Sequence, residues 1–358
     1  MPPTLLAQRL ADRTRALVDV PSESRDEAAL AEHIQQVLRD GGVAVSDAGD
    51  TCVLAGTLQR GSLPLVLLAG HLDTVPAQGN RPGRRERGAV HGLGASDMKG
   101  AVAVMLELAL AGAGGRAVDL GYVFFGREEL PVAESALTPL LGREPRLLEA
   151  DLVVMMEPTA NAIQAGCLGN INATWTFCGR SGHSARPWLA DNAVHRAGAG
   201  IAALAAREPV EHAFQGLTFT EVVSVTEVAG GIARNVVPDE ARAHVNYRYP
   251  PGLAAAEAEA RLHAWCAPFG ALAIDSNAPA APVAAKNPLV RALAEAGGLA
   301  VEAKQAWTPI AEFAAHGLAA VNFGPGAPAM AHRRDERVEE AALVRAYETL
   351  AAFAGGVG

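Results

Sequence analysis

Apolar positions recur at three- and four-residue spacing through 4–20 and again through 26–40, the pattern of amphipathic helices that bury one face. Pro21-Ser22-Glu23-Ser24 breaks the two, and the second is expected to stop at Gly41-Gly42, because glycine tolerates the backbone of a helix C-terminus. The period then changes. Residues 63–69 are continuously apolar, and 120–125 and 151–156 read the same way, as strands buried on both faces of a mostly parallel sheet. Between the first two lies an Ala/Leu-rich helix at 101–111. Such alternation of strands and helices predicts α/β architecture.

From about 169 to 279 the texture shifts to polar–apolar alternation at 172–178, 218–225 and 241–249, with helices expected near 191–206 and 253–266. That is an α+β pattern of antiparallel strands open on one face. The stretch Ala278-Pro279-Ala280-Ala281-Pro282 leads back to a helix at 288–297 and a strand at 319–323 of the first kind. A catalytic domain of 1–168 with 280–358, interrupted by an inserted domain of 169–279, is therefore expected.

Length agrees with that division, since 358 residues exceed what one core usually holds. Hydrophobic residues make up 50% of the chain and charged ones 19%, which excludes disorder as its main state. A formal net charge of −9 argues against nucleic acid or an anionic membrane as partner and leaves a small molecule. The four cysteines are scattered without a Cys-x-x-Cys pair, which fits a reducing, cytoplasmic setting. The first residues lack a signal-peptide pattern, and no run reaches the ~18 apolar residues that span a bilayer.

Open α/β sheets place their sites beyond the C-terminal ends of strands. His71 and Asp73 follow the 63–69 run, Glu128 and Glu129 follow 120–125, Glu157 follows 151–156, and His332 lies past Gly324-Pro325-Gly326. Asp97 sits in the loop ahead of the 101–111 helix. Two histidines and several carboxylates on one sheet edge suit Zn²⁺, Mn²⁺ or Co²⁺. In extended chain, residues i and i+2 face one way, so Asp73 is expected to accept the second ring N–H of His71 and orient it as a ligand. Adjacent Glu128 and Glu129 repel unless a cation or shared proton compensates; one can bind metal while the other takes a proton from water. Taken singly, each position also fits a solvated strand end, a turn or a helix cap. Gly92-Leu93-Gly94 lacks the third glycine of a dinucleotide loop, Gly179-Arg180-Ser181-Gly182 is no serine-hydrolase elbow, and His-Glu-x-x-His is absent.

The segments 70–76, 92–100, Glu128-Glu129, Glu157-Pro158-Thr159, 182–187 and 234–240 resemble, in order, the signatures of the M20 metallopeptidase family over essentially the whole chain. Within it, 166–167, 182–188, 192–195, 321–326 and 331–336 are most similar to members that release succinate from N-succinyl-L,L-2,6-diaminopimelate in lysine biosynthesis. Acetylornithine deacetylase-like amidases and dipeptidases or carboxypeptidases of the family are the alternatives. The resemblance implies a di-zinc aminopeptidase-like catalytic domain with an inserted lid that forms a homodimer, and two Zn²⁺ per subunit, replaceable by Co²⁺ or Mn²⁺. Asp97 would bridge the ions, with His71 and Glu157 on one and Glu129 and His332 on the other.

By the same resemblance Asp73, Glu128 and His183 are catalytic, with Glu128 the general base and His183 of the lid helping to bind the developing oxyanion. Asn235, Arg248, Thr308 and Gly324 are implied to contact an N-acyl amino acid substrate. Two departures stand out. Where the family's desuccinylases keep an arginine, this chain has Thr308-Pro309-Ile310-Ala311-Glu312-Phe313, and Cys167-Leu168 replaces an arginine pair; both remove expected partners for a substrate carboxylate.

Overall fold

The computed structural model describes residues 3–356; positions 1, 2, 357 and 358 of the expected catalytic domain lie outside the described residues. The chain divides into two compact units, Met1–Ala165 with Ala284–Glu302 and Glu312–Gly358, and Gly166–Val283 with Ala303–Ala311. The segment Ala303–Ala311, grouped with the first domain from sequence, thus packs with the inserted unit. Its side chains show why. The Gln305 amide accepts Thr220 N at 3.1 Å and donates to Thr218 O at 2.9 Å, and Trp307 Nε1 donates to Pro279 O at 3.1 Å.

The first unit is built on a sheet running Val45–Gly49, Cys52–Gly56, Asp119–Phe125, Leu65–His71, Leu152–Met155, Ala320–Asn322, Ile163–Cys167, Val301–Lys304. Its central strands Asp119–Phe125, Leu65–His71, Leu152–Met155 and Ala320–Asn322 are parallel, and those on either side join antiparallel. Every residue of Leu65–His71 is buried, as a strand covered on both faces requires. The helix Gly100–Leu110 is buried from Gly100 to Ala109, so it needs no polar stripe. Parallel strands end together, and residues 71–73, 126–129 and 156–157 emerge at one edge of the sheet.

In the second unit an antiparallel sheet runs Val210–Phe214, Leu217–Gly230, Glu240–Tyr249, Gly169–Cys178, Ala271–Ala278. Gly169–Cys178 alternates buried and half-buried positions along its length. Its buried face, with Trp175, Phe177, Tyr247 and Tyr249, packs on Ala193, Ala197 and Leu204 of helix Ala193–Ala205 and on Ala258, Leu262 and Cys266 of helix Ala255–Cys266. Asn192 starts the first of these helices by accepting the N–H groups of Val194 and His195, the usual role of an N-cap amide. No helix among the described residues is long and apolar enough to cross a membrane.

Candidate active site

Seven of the expected residues converge at the sheet edge. Single ligand atoms of His71, Asp97 and Glu157, of Asp97, Glu129 and His332, and of His71, Glu128 and Glu129 form three overlapping groups, each within 4.8 Å. Asp97 belongs to two of them. Its Oδ1 lies 3.2 Å from His71 Nε2 and its Oδ2 lies 3.5 Å from His332 Nε2, so the two oxygens face different histidines. His332 Nε2 is also 3.0 Å from Glu129 Oε1.

The loop that presents Asp97 is tightly specified. Gly94 takes φ +76°, and a Cβ there would meet Thr74 Cγ2 at 2.8 Å, so only glycine makes this turn without strain. Lys99, fully buried, donates from Nζ to Leu17 O at 3.1 Å and Val20 O at 2.8 Å, at the end of helix Pro3–Asp19. Arg127 and His332 have φ of +60°, a conformation non-glycine residues seldom hold except where surrounding structure enforces it. Arg127 directly precedes Glu128, and His332 is itself one of the clustered groups.

Asp73 departs from its expected geometry. The oxygen nearest His71 Nδ1 is the Asp73 backbone carbonyl at 3.0 Å, with the carboxylate at 3.6 Å. That carboxylate instead accepts the N–H groups of Glu128 at 2.9 Å and Glu129 at 3.0 Å and the Ser24 hydroxyl at 2.8 Å. Asp73 therefore orients His71 through its backbone and the adjacent glutamates through its side chain. Local spacing could not reveal the second role, because its donors lie on another strand's end. Ser24 carries no signal in the sequence beyond marking a helix break.

Electrostatics follow from packing acids together. Burial, then the facing Glu157 carboxylate, holds the pKa of Glu128 well above the usual carboxylate range. Burial opposes protonation of His71, yet the nearby Asp73 and Asp97 carboxylates hold its pKa well above the ordinary imidazole value. Contacts with Asp97 and Glu129 push His332 up to about 10. Asp97 stays below its normal range, since bonds from His332 and His71 outweigh its burial. A site that crowds the half-buried Asp97, Glu128 and Glu129 beside the buried Glu157 calls for positive charge, and its nitrogen and oxygen donors fit a divalent ion of the zinc, manganese or cobalt kind.

Gly324 has a packing reason for being glycine. A Cβ would meet Met156 O at 2.4 Å and Glu157 O at 2.5 Å, its N–H goes to Thr159 Oγ1 and its carbonyl accepts Asn161 N. Both backbone groups are thereby engaged in supporting the strand end bearing Glu157. Glu312, the acid standing where an arginine was expected, is buried and accepts the hydroxyls of Ser135 and Thr138; burial raises its pKa. It anchors the chain beyond Glu128-Glu129.

His183, Asn235, Arg248 and Thr308 belong to the second unit. His183 is exposed in the short strand Gly182–His183, paired with Val236–Val237. Its Nδ1 accepts Ala185 N at 3.1 Å, which places the ring proton on Nε2. Asn235 is exposed and binds Ser184 N through its carbonyl. Arg248 is half-buried, with Nε donating to Asn246 Oδ1 at 3.0 Å, and Asn246 is held in turn by Asn170 and Asn172. The Thr308 hydroxyl is buried with no hydrogen-bond partner among the described residues.

A parallel-sheet edge carrying two histidines and four carboxylates in overlapping groups is the site of a metal-dependent hydrolase. Residues 67–355 match the profile of "Peptidase family M20/M25/M40", and the chain belongs to that family. It is 41% identical over 350 residues, 96% of this chain and 97% of the other, to a Mycobacterium tuberculosis protein provisionally named succinyl-diaminopimelate desuccinylase DapE. A succinyl-diaminopimelate desuccinylase of Corynebacterium glutamicum is 36% identical over 334 residues, 90% of each chain. The crystal structure of aminopeptidase PepT from Bacillus cereus superimposes with TM-score 0.79 at 18% identity, covering 98% of both chains; at that identity the likeness concerns fold.

Proposed function

We propose that this chain hydrolyses N-succinyl-L,L-2,6-diaminopimelate to succinate and L,L-2,6-diaminopimelate as a cytoplasmic di-zinc enzyme, dimeric through its inserted unit. The observation that carries the dinuclear reading is Asp97, whose two oxygens face His71 and His332 separately. His71, Asp97 and Glu157 would hold one ion, and Asp97, Glu129 and His332 the other. Bound there, the ions supply Lewis-acid polarisation of an amide carbonyl and lower the pKa of water.

The chain's own groups do the rest. Glu128 takes a proton from the attacking water and delivers it to the leaving amine, a task suited to a carboxyl that burial and the facing Glu157 hold above the usual carboxylate range. Asp73 sets the backbone from which Glu128 projects. Nε2–H of His183 is a donor for the developing oxyanion. Arg248, with its terminal nitrogens unpaired among the described residues, offers a fork for a substrate carboxylate, and the Thr308 hydroxyl supplies a further polar contact. Relatives bearing the desuccinylase name, aligned over nearly the full chain, support this substrate over other amides of the family.

The deciding experiment is a side-by-side assay of zinc-loaded protein on N-succinyl-L,L-diaminopimelate, N-acetylornithine and simple dipeptides. A kcat/KM highest for the succinyl compound is expected; preference for acetylornithine or a dipeptide overturns the substrate. Arg248→Ala is expected to raise KM about tenfold or more, reflecting the ~1.5–3 kcal/mol of a charge-assisted hydrogen bond, with metal content unchanged. An unaltered KM removes Arg248 from the substrate site.

A further inference from the structure

Glu336 follows His332 by four residues in the charged string Arg333-Arg334-Asp335-Glu336-Arg337, where it reads as one more surface acid. Arg333, Arg334 and Asp335 are indeed exposed, but Glu336 is only 2% exposed. Among the described residues it makes no ion pair. Its Oε2 accepts Gly94 N at 2.9 Å, and its Oε1 accepts Ser96 N at 2.9 Å and Asp97 N at 3.0 Å. The Glu336 backbone carbonyl takes Gly92 N at 3.0 Å as well. One residue thus satisfies the amides of Gly92, Gly94, Ser96 and Asp97 in the loop that presents Asp97.

A buried carboxylate is costly unless donors replace its water, and each loop amide left unmet would carry its own penalty. The two needs cancel only in this geometry. Because Glu336 stands four residues beyond His332 and grips Asp97 by its backbone, it links candidate ligands that lie 235 positions apart (332 − 97). We infer that Glu336 is a positioning residue that fixes the Asp97 loop against the His332 segment, so that both present their ligand atoms to the same ions. The inference rests on the metal-centre reading above and adds to it a residue that touches neither metal nor substrate.

The test is zinc binding to the chelator-treated full chain, followed by calorimetry, by the rise in Tm on zinc addition, and by the visible spectrum of the Co²⁺-substituted protein. Glu336→Gln cannot satisfy all three amides, since its amide nitrogen must face at least one N–H whichever way it is turned. It is expected to weaken zinc about 10–100-fold, the usual loss on removing a partner behind metal ligands, to shrink the zinc-induced rise in Tm and to change the Co²⁺ bands. Glu336→Asp, which keeps the charge but is one methylene short, falls between. Asp335→Asn removes a neighbouring exposed charge and leaves all three readouts at wild type.

A purely structural Glu336 would instead lower Tm equally with and without zinc and leave the spectrum unchanged, which overturns the inference. Equal losses in Asp335→Asn, or failure of both Glu336 variants to fold with zinc present, overturn it too. Should the wild type itself bind no zinc, the metal-centre reading fails first; wild-type binding with unchanged Glu336 variants removes this inference alone.

Discussion

Glu128→Gln lowers kcat by about 10²–10⁴-fold, the range that a positioned general base contributes, while zinc stoichiometry and affinity stay near wild type. Glutamine preserves the shape and removes the ability to accept a proton. The structure separates this side chain from its neighbours in one respect. His71, Asp97, Glu129 and His332 have charged partners within hydrogen-bond reach, whereas Glu128 is anchored by its backbone N–H to Asp73 and its carboxylate is governed by burial and by repulsion from Glu157. A carboxyl so placed is protonated more readily than a surface glutamate, and a divalent ion would draw its pKa back down.

KM should move little, because the proton transfer belongs to the transition state. The measurement is steady-state kinetics on the preferred amide together with metal analysis of the same preparation. Near-wild-type turnover would transfer the base role elsewhere. Loss of zinc alongside activity would make Glu128 a ligand, an outcome the group of His71, Glu128 and Glu129 leaves open to experiment.

Much of this centre can be read from sequence because its residues sit where strands end. The apolar run at 63–69 marks a buried strand, and such strands deliver whatever follows them to one edge; His71, Glu128 and Glu157 were placed that way. The two-domain texture was legible for a related reason, since strands buried on both faces and strands buried on one differ in period. Helix Glu340–Gly355 is absent from the expected elements. Its buried residues Leu343, Ala346, Leu350 and Phe353 are diluted among alanines that suit either face, so the apolar stripe has little contrast.

What stayed hidden has a common cause. Asp73 gripping the Glu128-Glu129 backbone, Glu312 held by Ser135 and Thr138, and the Glu336 carboxylate holding the Asp97 loop each join parts of the chain 55 to 242 positions apart. Such bonds have no local period. Glu312 shows the hazard most clearly: as a substitution it reads as a substrate partner lost, but its carboxyl turns inward and ties chain to chain.

Asp97→Asn is expected to weaken zinc by more than the ~10–100-fold typical of losing a partner behind the ligands, and to abolish activity with it. Asparagine keeps one oxygen and no charge, so it can serve one of the two neighbouring groups at most. The loop should survive the change, because Glu336 holds residue 97 by its backbone N–H and that bond is indifferent to the side chain. Whatever is lost therefore belongs to the carboxylate. Linkage turns this into a stability measurement: zinc at a hundredfold above its Kd stabilises a folded protein by about 2.7 kcal/mol, and a variant whose Kd rises past that concentration gains little. The zinc-induced rise in Tm should consequently vanish in Asp97→Asn and persist in Glu128→Gln. Two ions bound at wild-type affinity by Asp97→Asn would show that His71 and His332 do not share ions through Asp97, and the dinuclear reading would fall with it.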